Sequence, residues 1–329
     1  MSKDLAFEYN EAVAQEVNNP QEMEEQYTDE QKRYFDFIVK MQKKEVVLSY
    51  SSLKKFAESP LNFVRYKLEE KAEPTESMLF GSLCDLLVTQ PQRFDQEFII
   101  LDITPTTDKQ AGFCEEVIKG TDIETAFAKH YAKGKAIDLY EALKPYIEAR
   151  LSGKKCISQG TYDQARAVTD NLMKSELIST MINTCTDFQQ KVEWEFGGWK
   201  FVGFKDCSAE GLIIDLKYTK DANPDRFERD IISMDYYLQL AMYTMAEGYD
   251  GIPECYIIAY DKSMNYSLIK IDYSLIVYGI RKFKYLVHKI SQCAKENRWN
   301  ESYNFFDERQ RTIYKPNWVK GFPTDPEEC

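Results

Sequence analysis

Two aspartates and a lysine stand close together in the segment GFKDCSAEGLIIDLKYTK, residues 203–220. If 199–206 is a strand that pairs with the next apolar run, Asp206 ends one strand and Asp215 lies in its neighbour. Side chains at positions i and i+2 share one face of a strand, so Asp215 and Lys217 project on the same side. Carboxylate oxygens are ligands that Mg²⁺ and Mn²⁺ prefer, and Mg²⁺ often keeps waters beside one or two protein carboxylates. The segment therefore predicts a site for a divalent cation.

A lysine beside two such carboxylates suits the hydrolysis of a phosphodiester. Lys217 can hold or help ionise an attacking water, and it can offset charge on the reacting phosphate. A D-x-K pair on a strand is by itself a common surface ion pair. The context favours the chemical interpretation, because an apolar run precedes Asp215 and Asp206 lies upstream. Downstream, YYLQLAMY places Gln239 and Tyr243 four residues apart, on one face of a predicted helix.

The runs around this segment predict helices and strands in a mixed order. Short aromatic and β-branched runs separated by glycines predict a meander of strands from residue 188 to about 219. Helical spacing and capping signals predict helices on both sides of the meander, and two further strands precede a long final helix. The fold class is therefore α/β. The predicted helices are 31–44, 53–58, 76–89, 235–247 and 273–297, and a helical region broken by glycines covers 108–185.

Composition excludes several other classes of protein. The chain has 329 residues, of which 43% are hydrophobic and 29% charged, as expected of a globular protein rather than a disordered chain. Its eight cysteines form no CxxC pair, which argues against a zinc cluster. Only two histidines are present, so there are few candidates for a histidine metal site or a Ser–His–Asp triad. No apolar run is long enough to span a membrane, and the first residues lack the pattern of a signal peptide. We therefore expect a cytoplasmic protein without membrane contact.

The net charge of −12, taken as a whole, argues against a nucleic-acid partner, because DNA phosphates bind lysine and arginine. Residues 1–30 carry nine acids and one base, hence −8 of that total, and the remaining chain is close to neutral. This acidic, loosely ordered arm has three interpretations: solubilising disorder, docking on a partner, or competition with DNA for a basic groove. DNA contacts are expected from local basic patches instead. These patches are Lys217/Lys220, Arg226/Arg229, Arg281/Lys282/Lys284 and, with Tyr314 and Trp318 in an irregular tail over 301–329, Arg309/Arg311/Lys315/Lys320.

The chain resembles the PD-(D/E)xK nucleases, and most closely the RecE-type exodeoxyribonuclease VIII group of phages and prophages. SYSSLKKFAESPLNF resembles the entry helix of that group, and MLFGSLCDLLVTQPQRFDQEF resembles its G-[ST]-x-x-H-x-L-L-x-x-P-x-x-F segment. VEWEFGGWKFVGFKDCSAEGLIIDLKYTKDANPDRF resembles the two-strand core, and YYLQLAMYT resembles the Q-x-x-x-Y helix. The resemblance covers about residues 49–290.

This resemblance implies a restriction-endonuclease-like core, with a central mixed β-sheet flanked by helices. The core would fill a nuclease domain over 31–300, with a helical insertion over about 108–185. The implied activity is Mg²⁺-dependent exonucleolytic hydrolysis of DNA, with Mn²⁺ as the other candidate ion, that resects double-stranded ends 5′→3′ for recombination or repair. The implied partners are duplex DNA ends and a single-strand annealing recombinase. Relatives form homo-oligomeric rings, and a phage-encoded enzyme in a bacterial cytoplasm fits the group.

The resemblance also implies roles for single residues. Asp206 and Asp215 correspond to the metal carboxylates, and Lys217 corresponds to the catalytic lysine. Gln239 and Tyr243 correspond to residues that contact the DNA backbone or orient the site. Further DNA contacts are expected from the basic residues that follow the second aspartate. These are Lys220, Arg226 and Arg229.

One position departs from the pattern of the group. Asp85, in GSLCDLL, stands where the group has a histidine close to the metals. An aspartate there can ligate a metal directly, which would give three metal carboxylates with Asp206 and Asp215, or it can weaken the site and alter activity. Glu193 or Glu195 can support the site from the preceding strand. Alternation puts both glutamates on one face, so the sequence does not choose between them.

Two other functions stay open. The chain can be a catalytically weak or inactive nuclease fold that serves as a DNA-binding or partner-binding module, with the acidic arm as its interaction element. It can also be a structure-specific or single-strand nuclease of a repair or defence system. Digestion of linear, nicked, circular and single-stranded DNA separates these functions from end resection.

Overall fold

Two β-sheets organise the computed structural model, which describes residues 27–69, 74–248 and 251–306. A small sheet pairs the first two strands in parallel, and the other five strands form a mixed sheet in chain order. Only the third and fourth strands of the larger sheet are parallel to each other. The strands are β1 (Phe98–Ile100), β2 (Lys155–Ile157), β3 (Asp187–Phe196), β4 (Trp199–Ala209), β5 (Leu212–Tyr218), β6 (Glu254–Tyr260) and β7 (Tyr266–Ile271).

Helices fill most of the chain between these strands. Before the larger sheet they are α1 (Asp29–Gln42), α2 (Tyr50–Glu58), α3 (Pro60–Leu68), α4 (Glu76–Thr89), α5 (Phe94–Glu97), α6 (Asp108–Ile118), α7 (Ile123–His130), α8 (Ala136–Leu151), α9 (Gln159–Met173) and α10 (Glu176–Thr184). Within and after the sheet they are α11 (Pro224–Ser233), α12 (Tyr236–Glu247) and α13 (Tyr273–Glu296).

Local sequence signals explain where the helices before the sheet begin and end. The hydroxyl of Ser49 accepts a hydrogen bond from the Ser52 N–H and caps α2, which begins three residues earlier than the predicted helix. Ser59 is extended and ends α2, and Pro60 occupies the first turn of α3, where no N–H is needed. The bounds of α4 are those predicted from sequence, 76–89.

Helices cover both faces of the larger sheet and bury two separate cores. Alternate residues of β5 divide between them: Ile213 belongs to the core beneath α1–α3 and α11–α13, whereas Ile214 and Leu216 belong to the core beneath α4, α9 and α10. The helices α6–α8 bury a third core of their own, which includes Phe113, Leu143 and Ile147. The central strands β5 and β6 are thus covered on both faces, and polar groups on β5 such as Asp215 lie away from bulk water.

The predicted α/β class, with a central mixed sheet flanked by helices, is confirmed. The predicted domain bounds stay predictions. Most of the predicted acidic arm, residues 1–26, and most of the predicted tail with its basic patch, residues 307–329, lie outside the described residues. Within the described ranges, no helix combines the length and the apolar character that crossing a membrane requires.

Candidate active site

The candidate site lies where β4 and β5 separate. These strands pair over a short stretch that ends at Cys207 and Ile214, and beyond it β4 stays paired with β3 but no longer with β5. Continuing this register by one residue brings Asp206 level with Asp215 at the point of separation. Asp206 Oδ2 accepts a hydrogen bond from the backbone N–H of Leu216 at 2.8 Å. The predicted end of the strand at residue 206 is wrong, because β4 runs on to Ala209.

Gln189 on β3 holds the second oxygen of Asp206. Its side-chain amide donates to Asp206 Oδ1 at 3.1 Å. The φ angle of Gln189 is 48°, in the left-handed region that few non-glycine residues adopt. Both oxygens of Asp206 therefore have a protein donor, which fixes the plane of the carboxylate. Sequence reasoning missed Gln189, because nothing in FQQKVEWEF distinguishes it from its neighbours.

Asp215 has the opposite environment. It is only 1% exposed, and neither of its carboxylate oxygens receives a hydrogen bond from the described residues. Lys217 forms an ion pair with it, with Nζ 2.6 Å from Oδ2. Burial raises the pKa of Asp215, and the nearby Lys217 ammonium partly offsets that rise. Lys217 is thus the charged partner of a carboxylate that is otherwise without hydrogen bonds from the described residues, so its oxygens have lone pairs available to a cation.

Lys217 is held in its charged form between a carboxylate and an aromatic ring. Its Nζ lies 5.1 Å from the centroid of the Tyr236 ring, a cation–π arrangement. Burial lowers the pKa of Lys217, but the Asp215 and Asp206 carboxylates raise it further, so the pKa lies above that of an ordinary lysine. An ammonium group held in this way can orient a water molecule or offset phosphate charge; it does not accept a proton near neutral pH.

Asp85 reaches the same site from α4. Its Oδ1 accepts a hydrogen bond from the Tyr260 hydroxyl at 2.7 Å. Burial, and after it the Asp206 carboxylate, raise the pKa of Asp85 well above its usual range. Burial and the Asp215 carboxylate raise the pKa of Asp206 to about 6. The three predicted metal carboxylates therefore lie close enough to repel one another in the protein without a cation.

This donor set fits a hard divalent cation. A positive ion relieves the mutual repulsion of the carboxylates, and it would give Asp215 a second cationic partner beside Lys217. Among the described residues, no three His, Cys, Asp or Glu side chains lie close enough together to enclose an ion by themselves. Two carboxylates completed by waters and a phosphate are the arrangement that Mg²⁺ often takes. Asp206 and Asp215 would hold the ion, and the role of Asp85 as a third ligand stays a prediction.

Gln239 and Tyr243 hold the separated part of β4 in place. Gln239 Nε2 donates to the Tyr243 hydroxyl at 2.8 Å, and that hydroxyl donates to the carbonyl oxygen of Phe204. Leu48, just before α2, pairs with Phe201 on the same free edge. Gln239 and Tyr243 therefore share one face of α12, as predicted, and that face lies against the edge of β4 at the site. Contact of Gln239 or Tyr243 with DNA stays a prediction.

A cleft of about 580 Å³ opens beside these residues, between α4 and β5. Asp85 and Lys217 line it directly. Phe204, whose side chain is exposed, lines it from β4. Ser82 and Arg93 line the α4 side of the cleft. The cleft thus reaches the Asp85 carboxylate and the Lys217 ammonium group, with hydroxyl and guanidinium groups on its α4 side.

Other predicted residues lie outside the described lining of the cleft. Lys220, Arg226 and Arg229 are exposed after β5 and on α11, and Arg226 forms an ion pair with Asp221. Of the predicted patch on α13, Arg281 and Lys284 are exposed, whereas Lys282 pairs with Asp235 at 2.6 Å. Glu193 and Glu195 are both exposed on β3, and Glu193 pairs with Lys191 at 2.7 Å. Their predicted roles stay predictions.

A covered mixed sheet with two opposed aspartates and a D-x-K lysine at a strand separation defines a nuclease domain of the PD-(D/E)xK type. The family model described as "PDDEXK-like domain of unknown function (DUF3799)" matches residues 49–304, and the chain belongs to this family. The predicted superfamily and its restriction-endonuclease-like fold are thereby confirmed. The placement in the RecE-type group stays a prediction.

Solved structures of other proteins are also similar to this chain. The crystal structure of a candidate exonuclease from Eubacterium rectale, determined at 2.19 Å resolution, is similar to this chain with a TM-score of 0.48 and 15% sequence identity. The match covers 88% of this chain and 96% of that chain. No curated protein matches the chain.

Proposed function

We propose that this protein is a Mg²⁺-dependent DNA exonuclease, active also with Mn²⁺, that hydrolyses phosphodiester bonds at double-stranded ends. The observation that carries the proposal is the pair of opposed carboxylates, Asp206 and Asp215, beside the charged Lys217 at the edge of an open cleft. A divalent ion held there would polarise the phosphate and lower the pKa of a bound water. Membership of a PDDEXK-like family supports a nuclease over other uses of such a site.

The side chains around the cation would have separate roles in the reaction. Asp206 is fixed by its two donors, so it can present its carboxylate to a cation without reorganisation. Lys217 orients the attacking water and offsets the negative charge that builds on the phosphate. Gln239 and Tyr243 hold the part of β4 that is separated from β5, beside the carboxylates.

The finer proposal follows the resemblance to the RecE-type group. The enzyme would digest duplex ends 5′→3′ and leave single strands for an annealing recombinase, in a bacterial cytoplasm. It would act as a homo-oligomeric ring around its DNA, and a phage or prophage would encode it. Lys220, Arg226 and Arg229 would contact the DNA backbone, since all three are exposed on the chain that leaves β5.

Digestion of linear duplex DNA tests this function. The substrate carries a label on either its 5′ or its 3′ ends and is incubated with Mg²⁺, Mn²⁺ or EDTA. We expect wild type to release 5′ label first with either metal, and Asp215→Asn and Lys217→Met to release it far more slowly. Asp170→Asn is the matched control, because Asp170 is an exposed carboxylate paired with Arg166 on α9.

Three results would contradict the proposal in different ways. Binding of duplex ends without hydrolysis under any divalent ion would favour the DNA-binding module. Cleavage of circular or single-stranded DNA at rates equal to those on linear duplex would favour the structure-specific or single-strand nuclease. Release of 3′ label first would leave an exonuclease but overturn the proposed polarity.

A further inference from the structure

A carboxylate is held between two cations on the wall of the cleft, away from the metal carboxylates. One oxygen of Glu97 lies 2.8 Å from an Arg93 guanidinium nitrogen, and the other lies 3.8 Å from Lys155 Nζ. Lys155 also donates a hydrogen bond to the Ser82 hydroxyl at 2.8 Å. Arg93, Glu97 and Ser82 line the same cleft as Lys217. We call Arg93, Lys155 and Ser82 the anion clamp.

The anion clamp is connected to the strand that orients Asp206. Arg93 donates to Gln90 Oε1 at 2.7 Å, and Gln90 Nε2 donates to the backbone carbonyl of Phe188 at 3.2 Å. Phe188 immediately precedes Gln189, which holds the Asp206 carboxylate. The guanidinium group is therefore positioned relative to the carboxylates by a short chain of hydrogen bonds, as a binding site at a set spacing requires.

Charge and accessibility give the anion clamp its chemistry. Two cations surround one carboxylate, so the group has an excess positive charge on a wall of an otherwise acidic site. The side chains of Arg93, Lys155 and Glu97 are between 29% and 41% exposed, and Arg93, Glu97 and Ser82 line the cleft, so a ligand there can reach the clamp. A guanidinium group presents the same donor geometry to a carboxylate as to a phosphate.

We propose that the anion clamp is a phosphate-binding subsite for the DNA strand, and that Glu97 occupies it when DNA is absent. This inference rests on the proposed function, because the ligand is a phosphate of bound DNA. A phosphate replaces the Glu97 carboxylate between Arg93 and Lys155 and accepts a hydrogen bond from the Ser82 hydroxyl. Half-exposed ion pairs are weak, so little is lost when Glu97 is displaced.

Binding of labelled duplex DNA, measured by fluorescence anisotropy in EDTA so that no hydrolysis occurs, tests the subsite. We expect Arg93→Gln and Lys155→Gln each to weaken binding by about 10-fold and to reduce the slope of log K against log salt by about 1. Glu97→Gln removes the competing carboxylate and should tighten binding about 3-fold or more. Arg166→Gln breaks a comparable ion pair on α9, outside the described lining of the cleft, and should bind within 2-fold of wild type.

The opposite responses of Arg93→Gln and Glu97→Gln distinguish a ligand site from a structural ion pair. If both variants weaken binding, or neither changes it while melting temperatures stay at the wild-type value, the subsite is wrong. If Arg93→Gln melts at a lower temperature than wild type, Arg93→Lys is used in its place. Lysine keeps the positive charge but lacks the parallel N–H donors of the guanidinium group, so this variant should show an intermediate loss of DNA binding.

Two DNA substrates that differ only at the 5′ end identify which phosphate binds. If the Arg93→Gln defect disappears on ends with a 5′-hydroxyl, the clamp takes the terminal phosphate; an equal defect on 5′-phosphate and 5′-hydroxyl ends shows that it takes an internal phosphodiester. Hydrolysis by wild type is measured in parallel with Mg²⁺. Hydrolysis without a binding defect overturns the subsite alone, whereas a binding defect without hydrolysis overturns the exonuclease alone.

Discussion

The Asp206 carboxylate accepts a hydrogen bond from the backbone N–H of Leu216 across the gap where β4 and β5 separate. A side chain thereby takes a donor that would otherwise remain unpaired at the freed edge of β5, where an unpaired buried N–H is costly. The same contact sets the distance between the two strands at the level of Asp215. The placement of the two carboxylates and the separation of the strands are therefore one structural feature.

Lys217→Met should abolish most of the nuclease activity without abolishing DNA binding. The variant keeps much of the apolar stem but loses the charge beside the reacting phosphate, so we expect the rate to fall by about 10²–10³. The rate is measured by release of label from linear duplex, and binding by anisotropy in EDTA. Lys191→Met is the control, because Lys191 also pairs with an acid two residues away on a strand but is exposed. Equal losses in the two variants would remove Lys217 from the mechanism.

Asp85→Asn should stabilise the protein in EDTA and weaken its response to Mg²⁺. Asparagine keeps an acceptor for the Tyr260 hydroxyl but removes the charge that burial and Asp206 disfavour. We expect the free energy of unfolding without metal to rise by about 1 kcal/mol. The increase in melting temperature on addition of Mg²⁺ should become smaller than in wild type. An unchanged Mg²⁺ response would show that Asp85 is not a ligand.

Gly203→Ala should disturb the site through Tyr243. A Cβ at residue 203 would lie 2.7 Å from Cε1 of the Tyr243 ring, so the ring must move and its hydroxyl bond to Phe204 must weaken. We expect a loss of about 2 kcal/mol in the free energy of unfolding and a nuclease rate lowered at least 10-fold. Gly160→Ala is the control, since within the described part of the chain its Cβ would come within 4 Å of a single side-chain atom, Ser158 Oγ at 3.9 Å. A Gly203→Ala protein with wild-type stability would contradict this packing.

Asp206 should make the stability of the metal-free protein depend on pH. Its pKa is about 6 in the folded protein against an ordinary value of 3.8, so between these values the folded state binds more protons than the unfolded state. Stability from this group therefore rises as the pH falls through about 6 and is lost as the pH rises above it. Urea unfolding in EDTA should show the advantage of Asp206→Asn over wild type shrinking by about 2 kcal/mol from about pH 7 to about pH 4.5. A constant difference would contradict the raised pKa.

The strand that carries Asp215 and Lys217 was predictable because its apolar residues alternate. Ile213 lies in one core while Ile214 and Leu216 lie in the other, and this period-two pattern is local. The separation of β4 from β5 was not predictable. It depends on Gln189 and on the hydroxyl of Tyr243, which contact β4 from other elements, and no local pattern encodes such contacts.

The anion clamp shows a similar limit. Arg93 and Glu97 lie one helical turn apart, and an i,i+4 ion pair is a local expectation. Lys155 reaches them only because β2 pairs beside β1, which a sequence with a long helical stretch between the strands does not reveal. The sequence around QPQRFDQEF therefore identified a segment of the family pattern but not its place on the wall of the cleft.

The parallel pairing of β1 and β2 has a consequence for how this fold can vary. Phe98 pairs with Lys155 and Ile100 pairs with Ile157, so the chain leaves and rejoins the domain at adjacent points, and α6–α8 between them bury a core of their own. The segment between β1 and β2 can therefore change in length and sequence, because the pairing of the two strands holds its ends together. Lys155 lies on β2, so a change in this segment that extends to β2 would alter the charge beside the cleft without changing the carboxylates.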